Sequence, residues 1–524
     1  MPSVYDSLNK AWKSTCRVVL GSELGELEEY TGWLREYMME SARETSHLSG
    51  KEVALAGADY CKTAKFVSMD EAREKKIGPL SINDIKDIDS IISAVSEQWE
   101  YCGNKALGNS AFVESSDAIA DSTYVSDSTT IQESSYVHAS SIITTNSRQI
   151  FGSLRSDNGE FAIRCVRCSD FRRCFETRLS ISCSDLYFCA TCMNSHDLLF
   201  SFNQRNQSYR IGNLQLPKEK YCTLKKKILE EVNEELIENK RFPSIFELVP
   251  NEKSALPKMP STPAGKREQG METVERAFRS TCRIIFNKEP GKLVQYERWL
   301  SKHAGSLRKF TSPFGHETYS LPGKCYPIYS LVPDKRMVSD EETLLLGDLS
   351  LKEEEITSLE RILKNLSKIG YFTDEMFEGT CRNAIETLGA VNSSNLFRTS
   401  AYKSEYAAFN PYLVTSKYVF GGGRLSNSQF CINCYDSDHL NRCFELDFCS
   451  NCSDAYFSHN CEGLSNAMFC FNTKNKRHAV GNAALEPAKY RRVKGALLEQ
   501  IAAEIEEKKE LELDIFNVGC SRKN

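Results

Sequence analysis

The sequence predicts an α+β protein made of two tandem copies of a helical subdomain, a parallel β-solenoid and a C-terminal amphipathic helix. Three observations carry this. Cys165, Cys168, Phe171, Cys174, Thr177, Ser180, Cys183, Leu186, Cys189, Cys192, Ser195, Leu198 and Ser201 fall on every third position, with mostly polar residues between. A helix needs spacings of three and four and a half-buried strand needs two, so a strict three fits short strands bent into a coil. Upstream, Leu107, Val113, Ile119, Val125, Ile131, Val137 and Ile143 stand six apart, with Ser110, Ser116, Ser122, Ser128, Ser134 and Ser140 midway between them and Asn146 just past the last. Finally, the chain repeats itself. Ser14, Thr15, Cys16 and Arg17 return 266 positions later as Ser280, Thr281, Cys282 and Arg283, and Trp33 and Leu34 return as Trp299 and Leu300. Arg173, Cys174, Phe175 and Glu176 return at an offset of 269 as Arg442, Cys443, Phe444 and Glu445. Self-similarity of this kind reads as a tandem duplication.

In chain order, residues 1–100 form the first helical subdomain. Leu8, Trp12, Val19, Leu24, Leu27 and Tyr37 supply apolar faces over 2–48, and Ile82, Ile85, Ile88, Ile91, Ile92 and Val95 predict a helix near 81–99. Residues 101–216 form the first solenoid, whose pattern slips by one place between Ile143 and Cys165, and 217–250 its capping helix. The stretch 251–270, with Pro257, Pro260 and Pro263, reads as an extended linker. The second helical subdomain spans 271–390 and includes a helical region at 340–370; the second solenoid spans 391–485, and a cap and tail span 486–524. Leu224, Ile228, Val232 and Leu236 match Val493, Leu497, Ile501 and Ile505, so both solenoids end in a helix that covers an open end. A partner-binding helix is the alternative reading. With three hexads per coil, residues 18 apart stack at about 4.8 Å. That places Cys165 over Cys183, Cys174 over Cys192, and Cys434 over Cys452 and Cys470.

A net charge of −5 offers no basic field for nucleic acid. No apolar run reaches membrane-span length and residues 1–10 lack a signal peptide's pattern, so a soluble cytoplasmic protein is expected. In such a compartment most of the 21 cysteines are reduced thiols, small and buried.

The pairs Cys165 and Cys168 with Cys189 and Cys192, and Cys431 and Cys434 with Cys449 and Cys452, have zinc-ribbon spacing and are the candidate metal ligands. At the 269 offset, however, Cys168 aligns with Ser437 and Cys189 with Ser458. Serine can replace a packed thiol but not a zinc ligand, so an inward ladder is the favoured reading and no cofactor is expected. The shared outward residues Arg173, Glu176, Asp185, Tyr187, Arg442, Glu445, Asp454 and Tyr456 are a candidate interaction surface, with a stacked ion-pair ladder as the bland reading. Gly421, Gly422 and Gly423 lack the Lys-Ser/Thr of a phosphate loop and read as a turn.

The hexads of 107–146 resemble the hexapeptide-repeat acyltransferases, whose left-handed β-helix binds acyl-CoA between subunits and uses a histidine as base. In that family the small residue lies two places before the aliphatic one; here it lies three away. The one histidine among the hexads, His138, has no carboxylate close in sequence and reads as a surface residue. The resemblance therefore implies fold only. The expected function is a non-enzymatic scaffold that binds a protein partner or assembles with itself. The rivals are a zinc-binding nucleic-acid or protein-binding module and an acyltransferase-like enzyme.

Overall fold

Ser3 starts the first helix, Val4–Leu20, its hydroxyl accepting a bond from the Asp6 amide while the Asp6 carboxylate accepts one from the Ser3 amide. The helix buries Leu8, Trp12, Cys16 and Val19 and stops at Gly21, whose φ of 81° suits a residue without a β-carbon. The helix Met271–Phe286, which carries the repeated Ser-Thr-Cys-Arg, buries Phe278, Cys282 and Ile285 and ends on left-handed Asn287. The computed structural model describes residues 3–74, 88–252, 256, 270–423, 425 and 428–520. The helical stretch expected over 2–48 is broken: Leu27–Arg35 is a second helix, and Ala42–Thr45 pairs antiparallel with Glu52–Leu55 in a hairpin. The helix expected near 81–99 is present as Ile88–Ser96; residues 81–87, and 253–255 and 257–269 of the expected linker, lie outside the described residues.

Each half carries large, mostly parallel sheets of short strands, compatible with a solenoid-like coil. The first half has a 14-stranded sheet; the second has an 11-stranded and a 4-stranded one. The register corrects the coil length. Thr123 pairs with Ser135, Thr129 with Ser141, and Phe171 with Cys183, each 12 residues on rather than 18. Cys431 lies beside Cys443, and Cys449 beside Cys461. Cys165 is therefore not stacked on Cys183, nor Cys434 on Cys452. Every multiple of three keeps the same residues inward, so the sequence pattern alone did not select among coil lengths.

The backbone explains the count. Phe112, Ser115, Ala118 and Asp121 have φ of 57°, 46°, 59° and 46°, and left-handed residues recur every third position along the first stack, apart from a one-residue slip at Thr145 and Asn146, and with more interruptions along the second. Each turns the chain at a corner, four to a coil. A left-handed non-glycine residue costs ~1–2 kcal/mol, so the inward residues must compensate. The serines do so through the backbone: Ser128 donates its hydroxyl to the Ser126 carbonyl at 2.8 Å and accepts the Ser140 amide at 3.1 Å. Ser140 repeats this toward Ser153, and Ser153 toward Cys165. Thiols occupy the same corners, with Cys165 donating to the Cys174 carbonyl at 3.5 Å. Polar groups that the corners would leave buried and unpaired are thus satisfied along the stack axis.

Two further expectations are corrected. Gly421 and Gly422 sit in the strand Lys417–Gly423 rather than a turn, and a β-carbon on Gly422 would lie 2.1 Å from the Cys434 carbonyl oxygen. His138 is buried rather than at the surface, bonded to Ser126 at 2.7 Å and Thr31 at 3.1 Å because the helix Leu27–Arg35 covers that face.

The cores cross between the halves. One cluster joins Trp12, Trp33, Phe175 and Leu236 of the first half to Phe310, Tyr329, Met337 and Phe372 of the second. The other joins Val53, Ile91, Trp99 and Tyr101 of the first half to Phe278, Phe444, Leu497 and Ile515 of the second. Between its N-terminal helices and its stack, each half therefore sends out an insert that packs on the opposite stack. Phe372 meets Phe202, while Trp99 meets Phe471. The Cys102 amide donates to His459 Nε2 at 2.8 Å. Cys61 of the first insert is joined by a disulfide to Cys520 in the C-terminal tail, with Cα atoms 6.4 Å apart. The other 19 cysteines are free.

Candidate functional site

Where the first insert crosses the second stack lies a cavity of about 140 Å³, lined by Tyr60, Lys105, Asp117, His303, Tyr435 and Asp447 among others. Four separate segments supply these groups. Tyr60 comes from the loop after the hairpin. Lys105 and Asp117 stand at the mouth of the first stack, His303 follows the helical turn Glu297–Leu300, and Tyr435 and Asp447 lie on the second stack. No local spacing links them, so the sequence carried no signal for their convergence.

The polar groups are held in pairs. Asp117 accepts the Lys105 amide, the Lys105 ammonium and the Ala56 amide, each at 2.8 Å. Burial works against the Lys105 charge, but the carboxylates of Asp117 and Asp447 outweigh it and raise the pKa. His459 Nε2 accepts from Cys102, so its Nδ1 carries the proton that faces Asp447 at 2.7 Å. His303 bridges Asp59 at 3.0 Å and Asp514 at 3.1 Å. Burial opposes its charge, yet bonds to Asp514 and Asp59 bring its pKa up to about 9. Cys325, half-buried at the rim, is pushed up to about 11 by burial, so its thiol stays protonated at neutral pH. The Tyr435 hydroxyl has no hydrogen-bond partner among the described residues.

The residues singled out in sequence lie elsewhere. Cys165, Cys168, Cys189, Cys192, Cys431, Cys434, Cys449 and Cys452 are all buried inside the stacks. Burial raises the Cys165, Cys192 and Cys434 thiols far above the ordinary range, and Cys168 donates to the Thr177 carbonyl at 3.4 Å. Among the described residues no group of three or more His, Cys, Asp and Glu is arranged to hold a metal ion. Of the shared outward residues, Glu176, Tyr187, Glu445 and Tyr456 are buried beneath the chain's own helices and tails. Glu176 accepts the Ile245 amide and Glu445 the Ile515 amide, both at 3.0 Å. Arg173 pairs with Asp185, and Arg442 with Asp454, each at 2.5 Å.

Among the described residues no helix is long and apolar enough to cross a membrane. Comparison with protein-family models, curated proteins and solved structures finds no match to this chain.

Proposed function

We propose that this protein is a non-enzymatic scaffold: a tandem duplicate whose two solenoid-like stacks are clamped into one rigid body and offer their outer faces to a protein partner. The observation that carries this reading is the pairing at the cavity. Lys105 is held by Asp117, His459 by Asp447 and Cys102, and His303 by Asp59 and Asp514. General acid–base catalysis needs a group poised to exchange a proton with substrate. Here each of these groups is engaged by a fixed partner within the protein, which favours fixed geometry over turnover.

Matched contacts support the duplication. Lys225 lies 4.3 Å over the Tyr187 ring and Lys494 4.6 Å over Tyr456. Phe188 stacks on Phe200, as Phe457 does on Phe469. The outer faces are exposed and polar: Asn158, Asp170, Ser182 and Asn194 occupy the same corner of successive coils, and Lys403, His439 and Asn451 are exposed along the second stack. A photo-crosslinking residue placed at Asp170 or Asn194 is expected to capture one defined protein, and the same residue at exposed Lys226 on the end helix to capture none. Equal capture from both places, or none from the outer face, would reject the scaffold reading.

A further inference from the structure

The two crossings are built with opposite polarity. At the 269 offset that aligns Arg173 with Arg442, Arg167 aligns with Asp436 and Arg178 with Asp447. The first stack thus presents two guanidiniums where the second presents two carboxylates. The arriving segments are reversed to match. Asp374, at the end of the second insert, pairs with Arg178 and, at 3.3 Å, with Arg167, while the Thr373 carbonyl accepts from Arg178 at 3.0 Å. Lys105, at the end of the first insert, lies 4.7 Å over the ring of Phe448, the neighbour of Asp447, and lines the same cavity as Asp436 and Asp447. These groups are desolvated: Arg178 and Asp374 side chains are 2% and 0% exposed, and Lys105 is 3% exposed.

Resting on the reading of the chain as a duplicate, we infer that these junctions form a polarity code. It directs each insert to the opposite stack and excludes both its own stack and the matching stack of a second chain. Lys105 and Asp374 stand at equivalent positions at the 269 offset, so the two inserts meet the stacks at the same place and charge is what differs between them. Charge discriminates strongly. Asp374 against Asp436 and Asp447, or Lys105 against Arg167 and Arg178, would bury like charges together without water to screen them. The stack that fits each insert is therefore the opposite one, and the matching stack, of this chain or of a second copy, is rejected at the like-charged pairing.

The test uses the full-length chain, unfolded and refolded in a glutathione buffer. Three charge-reversed variants, R167D/R178D, D374R and the combination R167D/R178D/D374R, are compared with the native protein and with the neutral variants R167Q/R178Q and D374N. Melting temperature, mass in solution and the fraction of Cys61 linked to Cys520 within one chain are measured. R167D/R178D gives the first stack the polarity of the second, so the first insert gains a wrong docking site. Its refolded material is expected to contain multimers and several-fold less of the intrachain disulfide, although neither cysteine is touched. Adding D374R is expected to recover at least half of the lost melting temperature. The neutral pair R167Q/R178Q separates charge from simple loss of packing, and its multimer content should stay near that of the native protein. Multimers from R167Q/R178Q equal to those from R167D/R178D, or no recovery in the combined variant, would overturn the code. Coupling between Arg178 and Asp374 without any multimers would also overturn it while leaving the duplication intact. If every reversed variant fails to fold, D374N must still refold as a monomer; multimers from it alone would reject the inference.

Discussion

Two histidines, His138 buried and His303 half-buried, give the stability of this protein opposite pH limbs. His138 is brought down to about 4 because burial disfavours its charge, with Arg35 adding to that and Asp127 opposing it. Its folded pKa lies below the ordinary value of 6.5, so the unfolded chain binds the extra proton first. The stability this neutral ring contributes is complete above pH 6.5 and is lost as pH falls toward 4. His303 has the reverse sign. Its pKa of about 9 means that its contribution is complete below 6.5 and is lost as pH rises toward 9. Each shift corresponds to about 3 kcal/mol at most. A melting curve taken against pH should therefore peak near neutrality; H138Q should flatten its acid side and H303Q its alkaline side. An acid limb unchanged in H138Q would show that His138 titrates normally. The hexads announced that Val137 faces inward, but they did not reveal that His138 would be covered. The cover is the helix Leu27–Arg35, more than a hundred positions away, and no local period encodes that contact.

At the scale of the strand and its corner, the sequence was most legible. Side-chain direction is a local property of the backbone, so the Ser and Val ladders of 107–146 could be read directly, and the inward cysteines with them. The number of corners per coil was not legible, because it depends on which residues accept a positive φ, and Phe112, Thr130 and Ile142 are not residues that advertise one. The corners yield two predictions. Asn194, exposed with φ of 48°, should tolerate Gly with little change, whereas N194V should lose ~1–2 kcal/mol in urea unfolding. Ser128 both donates to Ser126 and accepts from Ser140, so S128A should lose ~1–3 kcal/mol by leaving a buried amide unpaired. S128C should retain more of the stability than S128A, since thiols already serve this corner elsewhere in the stacks. Equal losses for S128A and S128C would mean that volume, and not the bond, sets the cost.

For the molecule as a whole, repeated words were visible in the sequence but the crossing was not. Repeated words such as Arg173 to Glu176 survive in any arrangement of the halves, whereas the contacts of Tyr101 with Ile515 and of Asn203 with Tyr371 have no counterpart in local pattern. The cavity is one product of that crossing, which is why Lys105 and His303 were missed while the cysteines drew attention. The disulfide between Cys61 and Cys520 spans 459 positions and ties the first insert to the far end of the chain. Thiol titration of the unreduced protein in denaturant should count 19 free thiols. C61S should lower the melting temperature by several degrees, in keeping with the ~2–5 kcal/mol that a native disulfide contributes. A count of 21 with no effect of C61S would show that the pair is not joined.

The exchange of inserts also has a consequence in time. The first stack is fully synthesised by residue 252, but part of its core is Phe310, Met337 and Phe372, which leave the ribosome later. At roughly 5–20 residues per second, that leaves the first half waiting on the order of 6–25 s for its missing wall. Through that interval its apolar face around Phe202 and Phe246 has nothing of its own to close on. The order of synthesis, and whatever holds the nascent chain meanwhile, is thus part of how this protein reaches its fold.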